Sequence, residues 1–355
     1  MKKYEHGGNI YDFAKTNNID KEKIIDFSAN INPLGISEKA KRAFYKSIDM
    51  VLNYPDPNYK KLKEAISLFH NVDIKYINLG NGAIELIYKT FRIIKAKKAL
   101  IVSPTFVEYE KALLSVGAKV DYFVLKEDND FEIDIDKLIL LAKNYELVVI
   151  CSPNNPTGKV IKKENIEELM KNATLNDYKL FLDEAFIDFY DEKNSMINRL
   201  ENFDNLFILR SLTKFFAIPG LRIGYMLTAN DEFTSKSKRV NIPWSINIPA
   251  EQVAIKSLED LDYIKESKDY ISKERDRVYE KLRSFNYLTP YRSYGNYIMF
   301  KSLKNIDLKK RLIKNNIMIR ECSNYVGLNK NFYRIAIKKI NENNKLLKLL
   351  EEIYE

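Results

Sequence analysis

The chain has 355 residues, 45% hydrophobic and 30% charged, which suits an ordinary soluble globule of roughly two domains. Its apolar runs are strand-sized and its first six residues hold no apolar stretch, so neither a membrane-spanning helix nor a signal peptide is expected. The net charge of +9 comes from scattered lysines such as Lys60, Lys61, Lys338 and Lys339, which read as solvated faces; no nucleic-acid-binding motif accompanies them, though a positive field would steer an anionic substrate.

At the N-terminus, His6-Gly7-Gly8-Asn9 leaves backbone N–H groups bare, either as an anion-binding nest or as a flexible tail. The segment from Ile25 runs extended into a turn at Ser28 to Gly35, where Asn30 meets a substrate or caps the turn. Gly80-Asn81-Gly82-Ala83 precedes a helix with apolar positions Ile84, Leu86, Ile87 and Phe91, and a helix start of this kind offers N–H groups to a phosphate. Strand-like runs follow at 99–102, 120–125, 147–150, 180–182, 206–209 and 223–227, most separated by helix-length stretches. That alternation predicts an α/β domain around a largely parallel sheet, with the chemical motifs at strand ends. Residues 249–285 read as one long charged helix. Strands at 297–300, 317–320 and 332–337 then predict a smaller domain closed by a C-terminal helix. The joint falls near 241–247, where Trp244, the only tryptophan, is expected to pack. The large domain is accordingly placed at 36–245, and the smaller one at 1–35 with 246–355.

The chemistry concentrates after the fifth of the large-domain strands. Lys214 sits among the hydroxyls of Ser211 and Thr213, with Arg222 eight residues beyond. A lysine desolvated at a strand end becomes a nucleophile, and hydroxyls with an arginine suit a phosphate. Together they suggest pyridoxal 5'-phosphate (PLP) held as a Schiff base; the bland alternative is a surface lysine. Asp183 ends an apolar run and can pair with a pyridinium nitrogen, or cap a turn. Asn155, in Asn154-Asn155-Pro156-Thr157-Gly158, can bond a ring oxygen, or merely shape that turn. Arg320 and Arg334 lie on apolar strands and need anionic partners; a structural ion pair would serve, but beside a PLP site they favour a doubly anionic substrate. Cys151 and Cys322 are the only cysteines, which fits a reducing cytoplasm, and with only His6 and His70 no zinc site is expected.

The ordered set Asn-Pro-Thr-Gly, Asp-Glu-Ala, Ser-x-x-Lys and arginine resembles the fold-type I PLP-dependent enzymes of the aspartate aminotransferase superfamily, over nearly the whole chain. The resemblance implies a mainly parallel seven-stranded sheet plus a smaller α+β domain. It implies that Lys214 carries the cofactor, Asp183 pairs with the pyridine nitrogen, Asn155 bonds the ring hydroxyl and Phe106 stacks on the ring. Gly82, Ala83, Ser211, Thr213 and Arg222 would hold the phosphate.

Five segments narrow it: His6 to Asn9, Asp26 to Gly35, Asp183 to Phe189, Arg210 to Phe215 and Ile242 to Asn247. They are similar to the L-threonine-O-3-phosphate decarboxylases of cobalamin biosynthesis, a branch close to the histidinol-phosphate aminotransferases. Phe186 stands where the aminotransferases usually carry tyrosine, and the His-Gly-Gly start also departs from them. The branch implies substrate contacts from His6, Gly7, Asn30, Asn155, Arg320 and Arg334, and a homodimer in which Tyr54 reaches the partner's cofactor phosphate. The implied reaction converts L-threonine O-3-phosphate to (R)-1-amino-2-propanol O-2-phosphate for a cobamide nucleotide loop. The alternatives are a histidinol-phosphate-type aminotransferase using 2-oxoglutarate and a decarboxylase preferring L-serine O-phosphate. One methyl group is worth only about 1–3 kcal/mol in a pocket, so the sequence leaves the last choice open. A ligand-binding regulator of this fold would carry an additional DNA-binding domain, and the chain begins almost at its expected substrate segment.

Overall fold

The computed structural model describes residues 7–355. In chain order its first strands are β1 (Ile25–Asp26), β2 (Ile77–Gly80), β3 (Lys98–Ser103), β4 (Lys119–Val124), β5 (Leu147–Cys151), β6 (Lys179–Asp183), β7 (Leu206–Ser211) and β8 (Gly224–Leu227). Seven of them form the central sheet in the order β2–β8–β7–β6–β5–β3–β4, parallel except for β8, which runs against both neighbours. The interior strands are continuous apolar runs because helices cover both faces of the sheet. Alternation divides their side chains: Phe181, Phe207 and Leu209 pack with Leu86, Ile87 and Phe91 on one face, while Leu180, Leu182 and Ile208 enter the larger core on the other.

The register brings one end of each strand to a common edge. Gly80 pairs with Gly224, Gly224 with Ser211, and Cys151 with Asp183. A Cβ on Gly224 would stand 2.7 Å from Ala83 N and 3.0 Å from Arg210 O, so glycine is what lets the helix Ala83–Ile94 start against this edge.

The remaining strands are β9 (Leu288–Pro290), β10 (Tyr297–Ser302), β11 (Ile317–Met318), β12 (Arg320–Glu321) and β13 (Phe332–Ala336). They make a four-stranded antiparallel sheet, β12–β13–β10–β9, and a parallel pair in which β11 takes β1 as partner. The expected single strand at 317–320 is therefore two strands in different sheets, because its two halves find different hydrogen-bond partners. The expected single helix at 249–285 is also two, Ile248–Leu258 and Leu261–Arg283. Neither proline nor glycine marks that break; Asp260 makes it by capping the second helix through Tyr263 N. Strands β2 and β9, four and three residues long, were too short to stand out as apolar runs. Trp244 does not pack inside: it is 48% exposed, with its ring 4.8 Å from that of Tyr54. Among the described residues no helix is long and apolar enough to cross a membrane.

Candidate active site

Past the common edge of the sheet lies a cavity of about 250 Å³. Each wall follows from local structure. Asp183 is the last residue of β6 and Ser211 the last of β7. Thr213 and Lys214 occupy the short helical turn Leu212–Phe215 that follows. Ala83 opens its helix, Asn155 sits in the turn after β5, and Arg320 and Arg334 come from β12 and β13 of the antiparallel sheet. Phe106, Asn30 and Gly7 complete the set of expected residues that line the cavity. Gly82 is one step behind: at φ +81° it has no Cβ, and one added there would lie 2.6 Å from Arg222 Nη2. Tyr54 is outside, on the surface and 79% exposed. His6 lies outside the described residues.

The charges are unbalanced. Among the described residues, four cationic side chains, Lys214, Arg222, Arg320 and Arg334, line the cavity against one carboxylate, Asp183. Arg320 and Arg334 are buried, and this excess of positive charge in the described lining favours anionic ligands. Burial first, then the nearby charges of Arg334 and Arg222, lower the Lys214 amine to about 8. About a tenth of it is therefore the free, nucleophilic amine at pH 7, far more than for an ordinary lysine. Burial raises Asp183 to about 6, although Tyr109 Oη donates to its Oδ2 at 2.5 Å and Ala185 N to its Oδ1 at 2.8 Å. Such a carboxylate gains from a cationic partner. Arg334 donates Nη1 to Asn155 Oδ1 and Nη2 to Ser28 O, and its Nε is buried with no hydrogen-bond partner. Arg320 donates to Asn324 Oδ1 at 2.6 Å and lies 5.2 Å above the Tyr325 ring. Asn30 Oδ1 is another buried, unpartnered atom of the lining.

These residues fit PLP. Ser211 Oγ and Thr213 Oγ1, 2.9 Å apart, stand with Arg222 and the helix start at Ala83 as a phosphate cradle. Asp183 is an acceptor suited to a pyridinium, and Lys214 an amine suited to its aldehyde. Sequence reading missed Tyr109, Ser28 and Tyr325, which also line the cavity. The position of Tyr109, three residues after Phe106 and near the same helix start, was the only available hint for it. Ser28 and Tyr325 had none beyond their neighbours Asn30 and Arg320.

Residues 22–350 match the family model for aminotransferase class I and II. The chain is 35% identical to the threonine-phosphate decarboxylase of Salmonella typhimurium over 349 residues, covering 98% of this chain and 96% of that protein. It is 31% identical to the histidinol-phosphate aminotransferase of Methanosphaera stadtmanae over 362 residues, covering 100% of this chain and 97% of that one. Among solved structures, the histidinol-phosphate aminotransferase of Clostridium acetobutylicum superposes with a TM-score of 0.87 at 37% identity, over 92% of this chain and 98% of that one.

Proposed function

The chain belongs to the class I and II aminotransferase family, whose enzymes work with PLP, and on that premise we propose that it decarboxylates L-threonine O-3-phosphate to (R)-1-amino-2-propanol O-2-phosphate. One observation carries this reading: two buried arginines, Arg320 and Arg334, line the same cavity as Lys214 and Asp183. A substrate with both a carboxylate and a phosphate offers an anionic group to each of them. Phe186 supports it further, since its ring lines the cavity and meets Tyr297 edge-on at 5.0 Å but has no hydroxyl to offer a cofactor oxygen.

When bound, PLP supplies an electron sink for the pair left at Cα as carbon dioxide departs. The chain's own residues do the rest. Arg320 and Arg334, with Gly7 and Asn30, grip the substrate's anions and fix which Cα bond breaks. Asn155, its Oδ1 held by Arg334, would offer its amide N–H to a cofactor oxygen. Asp183, its carboxylate oriented by Tyr109 and Ala185 N, would keep a proton on the ring nitrogen of the cofactor. Lys214 Nζ supplies the amine that carries the cofactor and returns a proton to Cα.

We assign the large domain to residues 36–245 and the smaller one to 1–35 with 246–355, an arrangement supported by the pairing of β1 with β11. We also assign a cytoplasmic homodimer in which Tyr54 reaches the partner's cofactor phosphate. Its exposure supports this, as does the apolar surface of Val51, Leu52, Val240 and Ile242.

The test is carbon dioxide release from L-threonine O-3-phosphate by the PLP-loaded protein without any keto acid. Stoichiometric release with aminopropanol phosphate is expected. Amino transfer from histidinol phosphate to 2-oxoglutarate, with no release, would instead establish the aminotransferase reading, which the 37% identity to the Clostridium acetobutylicum enzyme favours.

A further inference from the structure

Ser28 joins three separate segments of chain. Its N–H and its hydroxyl both donate to Asp26 Oδ1, at 2.7 and 2.6 Å. The same hydroxyl accepts from Gly8 N at 2.8 Å, and the Ser28 carbonyl accepts from Arg334 Nη2. Gly7 is so close that a Cβ on it would stand 2.2 Å from Ser28 O. The segment is fixed from outside as well: Phe27 N bonds Met318 O and Ala336 N bonds Phe27 O, each at 2.8 Å. Ser28 is 1% exposed and faces the cavity, whereas Asp26 is not part of the lining.

A hydroxyl held by a carboxylate has its proton committed, so its lone pairs point at the next donor, here Gly8 N. The result is a rigid link from Asp26 through Ser28 to the N-terminal glycines on one side and to Arg334 on the other. Neither glycine has a side chain to hold it in place, and Arg334 has its Nε unpaired. Without the link, the glycines and the guanidinium would each have to be ordered separately when a ligand arrives, at a cost in binding.

We propose that Asp26, acting through Ser28, is a positioning residue that sets the N-terminal glycine segment and Arg334 as one preformed unit for the anionic end of the substrate. The proposal rests on the reading that a phosphorylated amino acid is held by that segment and Arg334. Asp26 touches neither substrate nor cofactor, so its effect should fall on affinity and not on the chemical step.

The experiment compares Asp26→Ala, Asp26→Asn and Ser28→Ala with the wild-type holoenzyme. Asp26→Ala should raise KM for L-threonine O-3-phosphate about tenfold, the scale of one charge-assisted hydrogen bond, with kcat and the cofactor absorbance unchanged. Asp26→Asn keeps the Oδ1 acceptor and should restore most of the affinity. The second readout is amide hydrogen exchange at residues 7–9 with and without inorganic phosphate. Phosphate should protect these amides in the wild type and fail to do so in Asp26→Ala and in Ser28→Ala, which removes the hydroxyl's bonds to Gly8 N and Asp26 but leaves the Ser28 N–H bond to Asp26 and the carbonyl bond to Arg334. A fall in kcat with KM unchanged, loss of the cofactor, or equal protection in all variants would overturn the proposal, as would no protection in the wild type. If the wild type released no carbon dioxide, the decarboxylase reading would fall, and the exchange comparison would still decide the role of Asp26.

Discussion

Asp183 and Glu184 are chain neighbours, as are Arg210 and Ser211, yet the two faces of the sheet treat them differently. Asp183 and Ser211 line the cavity, where, among the described residues, four cations face one carboxylate. Glu184 and Arg210 turn to the other side and join a closed ion cluster. There Arg210, 0% exposed, bonds Glu184 Oε2 at 3.2 Å, Asp188 Oδ1 at 2.6 Å and both carboxylate oxygens of Glu192 at 3.0 and 3.1 Å. Ser195 Oγ and Met196 N complete Glu184, and His70 bridges Glu192 and Tyr225 Oη. Burial works against ionising Glu192, but the Arg210 charge wins and holds it well below the usual carboxylate range. The cluster therefore pins the ends of β6 and β7 with charges that are already paired. The described lining of the cavity instead carries an excess of positive charge that an anionic ligand would balance. Structure and function are separated by one residue of strand alternation.

Three substitutions probe that contrast. Lys214→Ala should abolish turnover while leaving the folded state at least as stable, because the buried amine contributes nothing favourable below its lowered value of about 8. Carbon dioxide release and urea denaturation read the two effects; release at the normal rate would remove Lys214 from the chemistry. Arg210→Met should do the reverse and act first on stability. It strands Glu184 and Asp188 without their cation, a loss of about 3–5 kcal/mol in denaturation midpoints. An unchanged midpoint would mean that the cluster does not hold the two strand ends.

The third substitution has the smallest effect and a definite pH dependence. Asp183 is raised to about 6 from 3.8, so the folded protein without cofactor holds a proton that the unfolded chain has already released. Stability then falls as pH rises through that window, and the full penalty stands above pH 6. Asp183→Asn should recover up to about 3 kcal/mol above the window and nothing below it. Urea denaturation at pH 4 and pH 8 would check this, and a gain of equal size at both would sink the idea that Asp183 carries an unpaired buried charge.

Much of this was legible in the chain. Apolar runs announce the strands of a covered sheet, so β3 to β8 were visible, though not that β8 runs against its neighbours, and motifs at strand ends fall at one edge by topology. Lys214, Asp183 and Asn155 could be picked out because each follows such a run. The illegible parts are those decided by distant partners. The break at Ile319 depends on β1 competing with β13 for two halves of one segment, and the break at Asp260 on a side-chain cap that sequence periodicity does not register. Trp244 looked like a core residue by type, but its neighbours leave it on the surface against Tyr54.

The sequence by itself determined the sheet and set Lys214 and Asp183 at or just past the ends of its strands, since periodicity and local chemistry are properties of neighbouring residues. Only the tertiary structure decided how these are charged and tuned. Tyr109 meets Asp183 across 74 residues, and Arg334 meets Ser28 across 306. Contacts of that separation depend on which elements pack together, and burial, which lowers Lys214 and raises Asp183, exists only once they have.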